Sequence, residues 1–123
     1  LINILIVDDS RVMRKLIINI LHNNEFNCIE AENGIEALEK IVVNDVDLII
    51  ADLNMPKMTG LELVNTIRSS TVYSKIPIIM LTTEKNEIER QKCLEAGANV
   101  YLIKPLPAEE LKDNIKELIR KSG

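Results

Sequence analysis

Short apolar runs that each stop at a polar residue, with a helical pattern after each, limit this chain to very few folds. Asn3-Ile-Leu-Ile-Val7 stops at Asp8 and Asp9, and Leu48-Ile-Ile-Ala51 stops at Asp52. Ile76–Leu81 stops at Thr82, and Val100–Ile103 at Lys104. Apolar runs of this length alternating with amphipathic stretches indicate strands of a parallel sheet with crossover helices. In such a sheet the carboxyl ends of the strands share one edge, and ligands bind there. Asp8, Asp9, Asp52, Thr82 and Lys104 are far apart in sequence, yet this reading brings them to one spot.

The remaining elements follow the same logic. Met13, Leu16, Ile17, Ile20 and Leu21 keep helical spacing, with Ser10 as a plausible N-cap. A second strand is expected at about Asn27–Ala31, and Asn33-Gly34 turns into a helix that faces inward through Ala37, Leu38, Ile41 and Val42. The third strand is expected over Asp47–Asp52, and Thr59-Gly60 opens a helix with Leu61, Val64 and Ile67 inward. The helix over about Lys85–Ala96 is largely polar, offering only Ile88, Cys93 and Leu94, so weak packing is expected before Gly97 stops it. Leu111, Ile115, Leu118 and Ile119 stripe the last helix. Five such units predict an α/β, doubly wound, five-stranded parallel sheet with helices on both faces.

The 123 residues suit a single domain over 1–123, large enough to bury roughly two-thirds of its unfolded surface. No apolar run approaches the roughly 18 residues of a membrane span, and the first one ends too early for a signal peptide. A net charge of −4 with mixed signs lacks the basic stripe that nucleic-acid binding needs. Cys28 and Cys93 have neither metal nor redox spacing and are expected to be reduced thiols, consistent with a cytoplasmic setting. His22, beside Asn23 and Asn24 at the end of the first helix, is expected to be a solvated surface residue.

The five converging groups imply a chemistry. Two carboxylates about 4 Å apart repel by roughly 4 kcal/mol at an effective dielectric near 20, and Lys104 alone cannot offset three. Mg²⁺ can, since it takes one or two carboxylates, keeps waters and completes its shell with phosphate oxygen. Asp52, on the central strand, is best placed as a carboxylate nucleophile towards phosphorus, with Asp8 and Asp9 holding the metal. Thr82 and Lys104 supply donors for the phosphoryl oxygens.

Val7-Asp8-Asp9-Ser10, Asp52-Leu53-Asn54-Met55-Pro56-Lys57-Met58-Thr59-Gly60, Leu81-Thr82-Thr83-Glu84 and Tyr101-Leu102-Ile103-Lys104-Pro105 closely resemble the receiver domains of two-component response regulators, the CheY-like family. The resemblance runs over essentially the whole chain. It implies the flavodoxin-like strand order 2-1-3-4-5, for which chemotaxis regulators of this kind are themselves a standard example.

By that resemblance Asp52 is the phosphoacceptor, charged by a sensor histidine kinase. Asp8, Asp9 and Asp52, with the backbone carbonyl of Asn54, ligate Mg²⁺. Thr82 and Lys104 bind the phosphoryl group, and Tyr101 turns inward when Thr82 moves. Asn54 and Glu84 tune the lifetime of the phosphorylated state, in the pairing seen in chemotaxis-type regulators. Thr83 departs from the Ala or Gly common in relatives and narrows access to the site. A cis peptide is expected at Lys104–Pro105. The output face implied is the Lys85–Ala96 helix with the fifth strand and last helix, binding a downstream protein target or an output domain.

The protein expected is thus a signalling switch rather than an enzyme, catalysing only its own phosphorylation and dephosphorylation. A Mg²⁺-dependent aspartyl phosphatase would need an acid at position 54, where Asn54 cannot shuttle a proton. A flavin module would need a Ser/Thr-rich phosphate loop after the first strand. Two settings stay open for the output. A freestanding chemotaxis-like regulator is favoured by Asp8-Asp9-Ser10-Arg11-Val12-Met13-Arg14 and by the Asn54/Glu84 pair. The alternative is the same receiver chemistry excised from a longer DNA-binding regulator or hybrid kinase.

Overall fold

A computed structural model describes residues 1–23 and 25–122; Asn24 and Gly123, both within the expected 1–123 domain, lie outside the described residues. Ten elements alternate along the chain: β1 (Ile2–Val7), α1 (Arg11–Ile20), β2 (Phe26–Ala31), α2 (Gly34–Val43), β3 (Leu48–Ala51), α3 (Gly60–Arg68), β4 (Ile78–Thr82), α4 (Glu87–Ala96), β5 (Val100–Ile103) and α5 (Ala108–Ser122). All strand pairs are parallel and the order is β2-β1-β3-β4-β5.

The central strands are apolar throughout because both sheet faces are covered. Leu5, Val7, Ile49, Ala51, Ile78 and Met80 face one core with Ala37, Ile41, Leu63, Val64 and Ile67 of α2 and α3. Their alternates Ile4, Ile6, Leu48, Ile50, Ile79 and Leu81 face the other, with Ile17, Leu21, Leu111 and Ile115 of α1 and α5. Each buried Ile or Leu contributes about 1.5–3 kcal/mol of transfer free energy.

Local chemistry sets the helix starts. Ser10, Asn33, Thr59 and Asn86 each accept a first-turn N–H as N-caps, and Thr59 with Glu62 forms a reciprocal capping box. Asn86 as a cap moves the start of α4 to Glu87, two residues past the expected Lys85. Pro77 carries no N–H, so β4 begins at Ile78, whose N–H donates to Asn99 Oδ1, and not at Ile76.

Two expected inward residues point out. Leu16 is 48% exposed and Val42 68% exposed. Each lies about 100° around its helix from the buried centre, Ile17 or Ile41 respectively, and so falls off the sheet-facing stripe. Leu63, by contrast, is buried where only Leu61, Val64 and Ile67 were expected to lead. Helix α4 packs as lightly as its composition predicts: Cys93 is its one fully buried residue, and Ile88 is exposed. Gly97 ends it at φ 122°, in the region that favours glycine.

Candidate phosphoryl and metal site

Strand register brings the site together. Val7 pairs with Ala51, so β1 and β3 end level, and the Asp52 N–H donates to the Val7 carbonyl (3.0 Å). On the far side of β3, the Lys104 N–H donates to the Thr82 carbonyl (2.8 Å), tying the end of β5 to β4. One ligand oxygen from each of Asp8, Asp9 and Asp52 lies within 4.8 Å of the others, forming one acidic group.

Lys104 bridges two of these carboxylates. Its ammonium donates to Asp8 Oδ2 at 2.8 Å and to Asp52 Oδ2 at 3.3 Å, with all three side chains largely buried. Burial opposes the lysine charge, but the Asp8 hydrogen bond and the Asp52 and Asp8 charges outweigh it and hold its pKa above the ordinary lysine value. The Ser10 N–H donates to Asp8 Oδ1 (2.8 Å), so Asp8 is held at both oxygens. Asp9 is exposed, and Asp52 Oδ1 is buried without a hydrogen-bond partner among the described residues.

These residues fit a hard divalent cation. The donors are all oxygens, which suits Mg²⁺ rather than a soft metal. Three carboxylates against one ammonium leave a local charge of −2. A buried carboxylate oxygen without a partner is costly, and Asp52 Oδ1 offers the lone pairs such an ion takes.

Thr82 is fully buried at the end of β4, and its hydroxyl accepts from the Glu84 N–H at 3.2 Å. Tyr101 lies lower on β5, paired with Met80, and its hydroxyl donates to the Glu84 carbonyl at 2.9 Å. Thr82 and Tyr101 are therefore tied to the two ends of one residue's backbone. The ring is already buried with Thr82 in this position, because it completes the core beside Met80 and Cys93. Burial foremost, then the charges of Cys93, Glu84, Glu89 and Asp52, push the Tyr101 phenol up to about 12.

The expected lifetime residues are at the rim. Asn54 is exposed in the loop after Asp52, and Glu84 is half-buried with Oε2 accepting from the Asn86 N–H (3.2 Å). Thr83, between Thr82 and Glu84 in the chain, is exposed. The Lys104–Pro105 peptide is cis, as expected. His22 is exposed just past α1 and takes no part in the site.

The loop from Asp52 to α3 is tightly built. The Gly60 N–H donates to the Leu53 carbonyl (2.8 Å), and a Cβ at Gly60 would collide with the Asp52 carbonyl and with Leu53 Cα. Lys57 sits at φ 69°, spanned by a Met58 N–H to Pro56 carbonyl bond of 2.7 Å. Only the glycine was foreseeable, from Thr59-Gly60 as a helix opening.

The burial and pairing of Arg14 are not evident from its place in the Asp8–Arg14 run. Arg14 is buried, it donates to the Asp8 carbonyl, and it is paired with Glu30. Its signal was present: position 14 falls on the same stripe as Ile17 and Leu21, so a cation there required an internal partner.

The family model of the response regulator receiver domain matches residues 4–116. The chain is 42% identical over 118 residues to the chemotaxis protein CheY1 of Helicobacter pylori, covering 94% of this chain and 95% of that protein. A CheY homologue of Campylobacter jejuni is also 42% identical, with 94% and 91% covered. Among solved structures, the chemotaxis response regulator CheY4 of Vibrio cholerae superposes with a TM-score of 0.87 at 36% identity, covering 96% of this chain and 98% of that one. A two-component response regulator from Clostridium difficile gives a TM-score of 0.92 at 28% identity, with 100% and 99% covered.

Proposed function

This chain belongs to the response regulator receiver family of phosphorylation-activated switches, and we propose that Asp52 is its phosphoacceptor, charged from a sensor histidine kinase with Mg²⁺. The observation that carries the assignment is the Asp8, Asp9 and Asp52 cluster, with Lys104 bridging two of its members.

Asp8, Asp9 and Asp52, with the Asn54 backbone carbonyl, would hold Mg²⁺, which when bound offsets charge on the carboxylates and phosphoryl oxygens. Asp52 supplies the nucleophile. One of its carboxylate oxygens forms a bond to phosphorus as the bond from phosphorus to the kinase imidazole nitrogen breaks, its electron pair staying on the ring. Lys104 shifts from a carboxylate partner to a donor for the phosphoryl oxygens, a short move for a flexible ammonium.

Thr82 carries the signal outward. A phosphoryl group on Asp52 offers strong acceptors, and turning the hydroxyl to them releases the Glu84 N–H. The loop before α4 then loses one of the two backbone bonds at Glu84, and the other is the Tyr101 hydroxyl on its carbonyl. Helix α4, with little buried surface, is the element freed to shift, and the α4-β5-α5 face is the docking surface for a downstream protein target. The chemotaxis proteins among its relatives favour that output, in the cytoplasm, over a DNA-binding one. Asn54 and Glu84 at the rim set how readily water reaches the phosphoryl group.

Intact-mass spectrometry after incubation with acetyl phosphate tests the assignment. One added phosphoryl group is expected with Mg²⁺ present, lost when Mg²⁺ is withheld and lost in Asp52→Asn. A chain that stays bare through brief and long exposures with Mg²⁺, or an Asp52→Asn variant that labels like the parent, overturns it.

A further inference from the structure

Arg14 is a buried cation on the sheet-facing stripe of α1, only 9% exposed. Its Nη1 donates to the Asp8 carbonyl at 2.6 Å, and its Nε donates to Glu30 Oε1 at 2.9 Å. Glu30, on neighbouring strand β2, also accepts from Lys15 through Oε2 at 2.7 Å. The guanidinium thus links three elements: the end of β1, the start of α1 and β2. A buried guanidinium is stable only when paired, and Glu30 provides the pair. These charge-assisted bonds are about twice as strong as neutral ones.

The Asp8 carbonyl belongs to the peptide unit that leads into Asp9. Asp8 itself needs no further support, since Ser10 and Lys104 hold both carboxylate oxygens. Asp9 has no such support. Its exposed side chain makes no hydrogen bond or ion pair among the described residues, although Arg11, Arg14 and Lys15 line the same open cleft of about 490 Å³. The direction of the Asp9 carboxylate is therefore set by the backbone before it, and Arg14 grips that backbone.

We propose that Arg14 is a positioning residue of the acidic site: braced by Glu30, it holds the Asp8–Asp9 peptide so that the Asp9 carboxylate converges with Asp8 and Asp52. This rests on the reading that these three aspartates hold Mg²⁺. Loosening the grip costs cation affinity because the third ligand must be ordered during binding. Groups that orient metal ligands from behind typically control affinity by about 10–100-fold.

Isothermal calorimetry of Mg²⁺ binding and acetyl phosphate labelling across a Mg²⁺ series test this together, on the full chain. Arg14→Gln is expected to raise the Mg²⁺ Kd by about tenfold or more and to move the half-saturating Mg²⁺ for labelling in parallel. Its labelling rate at saturating Mg²⁺ should stay near the parent's. Glu30→Gln, which keeps Arg14 but removes the charge of its brace, should show a smaller rise of the same kind. Arg14→Lys, which can still reach one carbonyl, should recover part of the loss. Lys15→Met, which leaves the Arg14–Glu30 bond intact, should match the parent. A purely structural role would lower the melting temperature and leave the Kd of the folded protein unchanged, and that result overturns the proposal. Should Arg14→Gln not fold, an unchanged Kd in Glu30→Gln overturns it equally. A parent chain that binds no Mg²⁺ refutes the metal-site reading itself and takes the proposal with it.

Discussion

At the scale of single residues, the ion pairs of Lys104 and the buried phenol of Tyr101 each have a measurable consequence. Lys104 neutralises part of a charge that a cation would otherwise neutralise, so the two compete. Lys104→Met should therefore bind Mg²⁺ more tightly than the parent while labelling more slowly at Asp52, because the proposed donor to the phosphoryl oxygens is gone. Calorimetry beside a labelling time course reads both, and weaker Mg²⁺ binding in the variant contradicts the competition. Tyr101 holds its proton more tightly folded than unfolded, with its phenol raised from 10.0 to about 12. A raised folded pKa stabilises the protein fully below the unfolded value, and that stability drains away as pH climbs from 10 to 12. Urea unfolding over this window should show a falling limb that Tyr101→Phe flattens, and tyrosinate absorbance should lose its latest component in the same variant. An identical limb in both proteins would exclude Tyr101 as its source.

At the scale of elements, caps and close approaches decide more than propensity does. Asn86 caps α4 through two N–H groups, and α4 has little buried surface to compensate for losing them. Asn86→Ala should cost about 1 kcal/mol of stability. Hydrogen exchange should show the loss concentrated in α4, and uniform loss over all helices would contradict its light attachment. The opposite end of α4 is clamped. Arg68 donates to the carbonyls of Gly97, Ser74 and Ile76 and to Asn99 Oδ1, which fixes the helix terminus remote from the site. Any movement of α4 is thus largest at its Asn86 end, next to Glu84. Gly60→Ala at the start of α3 forces a Cβ against the Asp52 carbonyl, a backbone atom that cannot turn aside. The expected cost is about 1–3 kcal/mol, with slower Asp52 labelling because Asp52 must shift. Denaturation and intact mass read the two effects, and a stable, normally labelled variant would show that the loop yields.

At the scale of the whole molecule, the fold works against itself at the site. Two cores hold the strands in register, and that register forces like charges together at their ends. Mg²⁺ that binds only the folded chain should therefore stabilise it globally, by about 2.7 kcal/mol at one hundred times its Kd. Chelation should reverse the gain, and Asp9→Asn should reduce it. Urea unfolding with and without Mg²⁺ decides the matter: no gain in the parent means that the three carboxylates do not form a binding site. No helix among the described residues is long and apolar enough to cross a membrane.

The sequence alone was enough to identify the strands, their parallel arrangement and the five polar groups at their ends, because periodicity and strand-end position are local properties of the chain. Asp8, Asp9, Asp52 and Lys104 come together as expected. Element boundaries shifted where a side chain captured a backbone group, as Asn86 did at α4 and Asn99 at β4. Leu16 and Val42 were misplaced because an apolar residue does not declare which side of its helix the sheet will cover. Tertiary structure alone decided the partners: Arg14 with Glu30 and the Asp8 carbonyl, Arg68 with four groups in two loops, and Thr82 with Tyr101 through Glu84. A hydrogen bond depends on distances of a few tenths of an ångström between elements distant in sequence. Such distances exist only after the layers have packed.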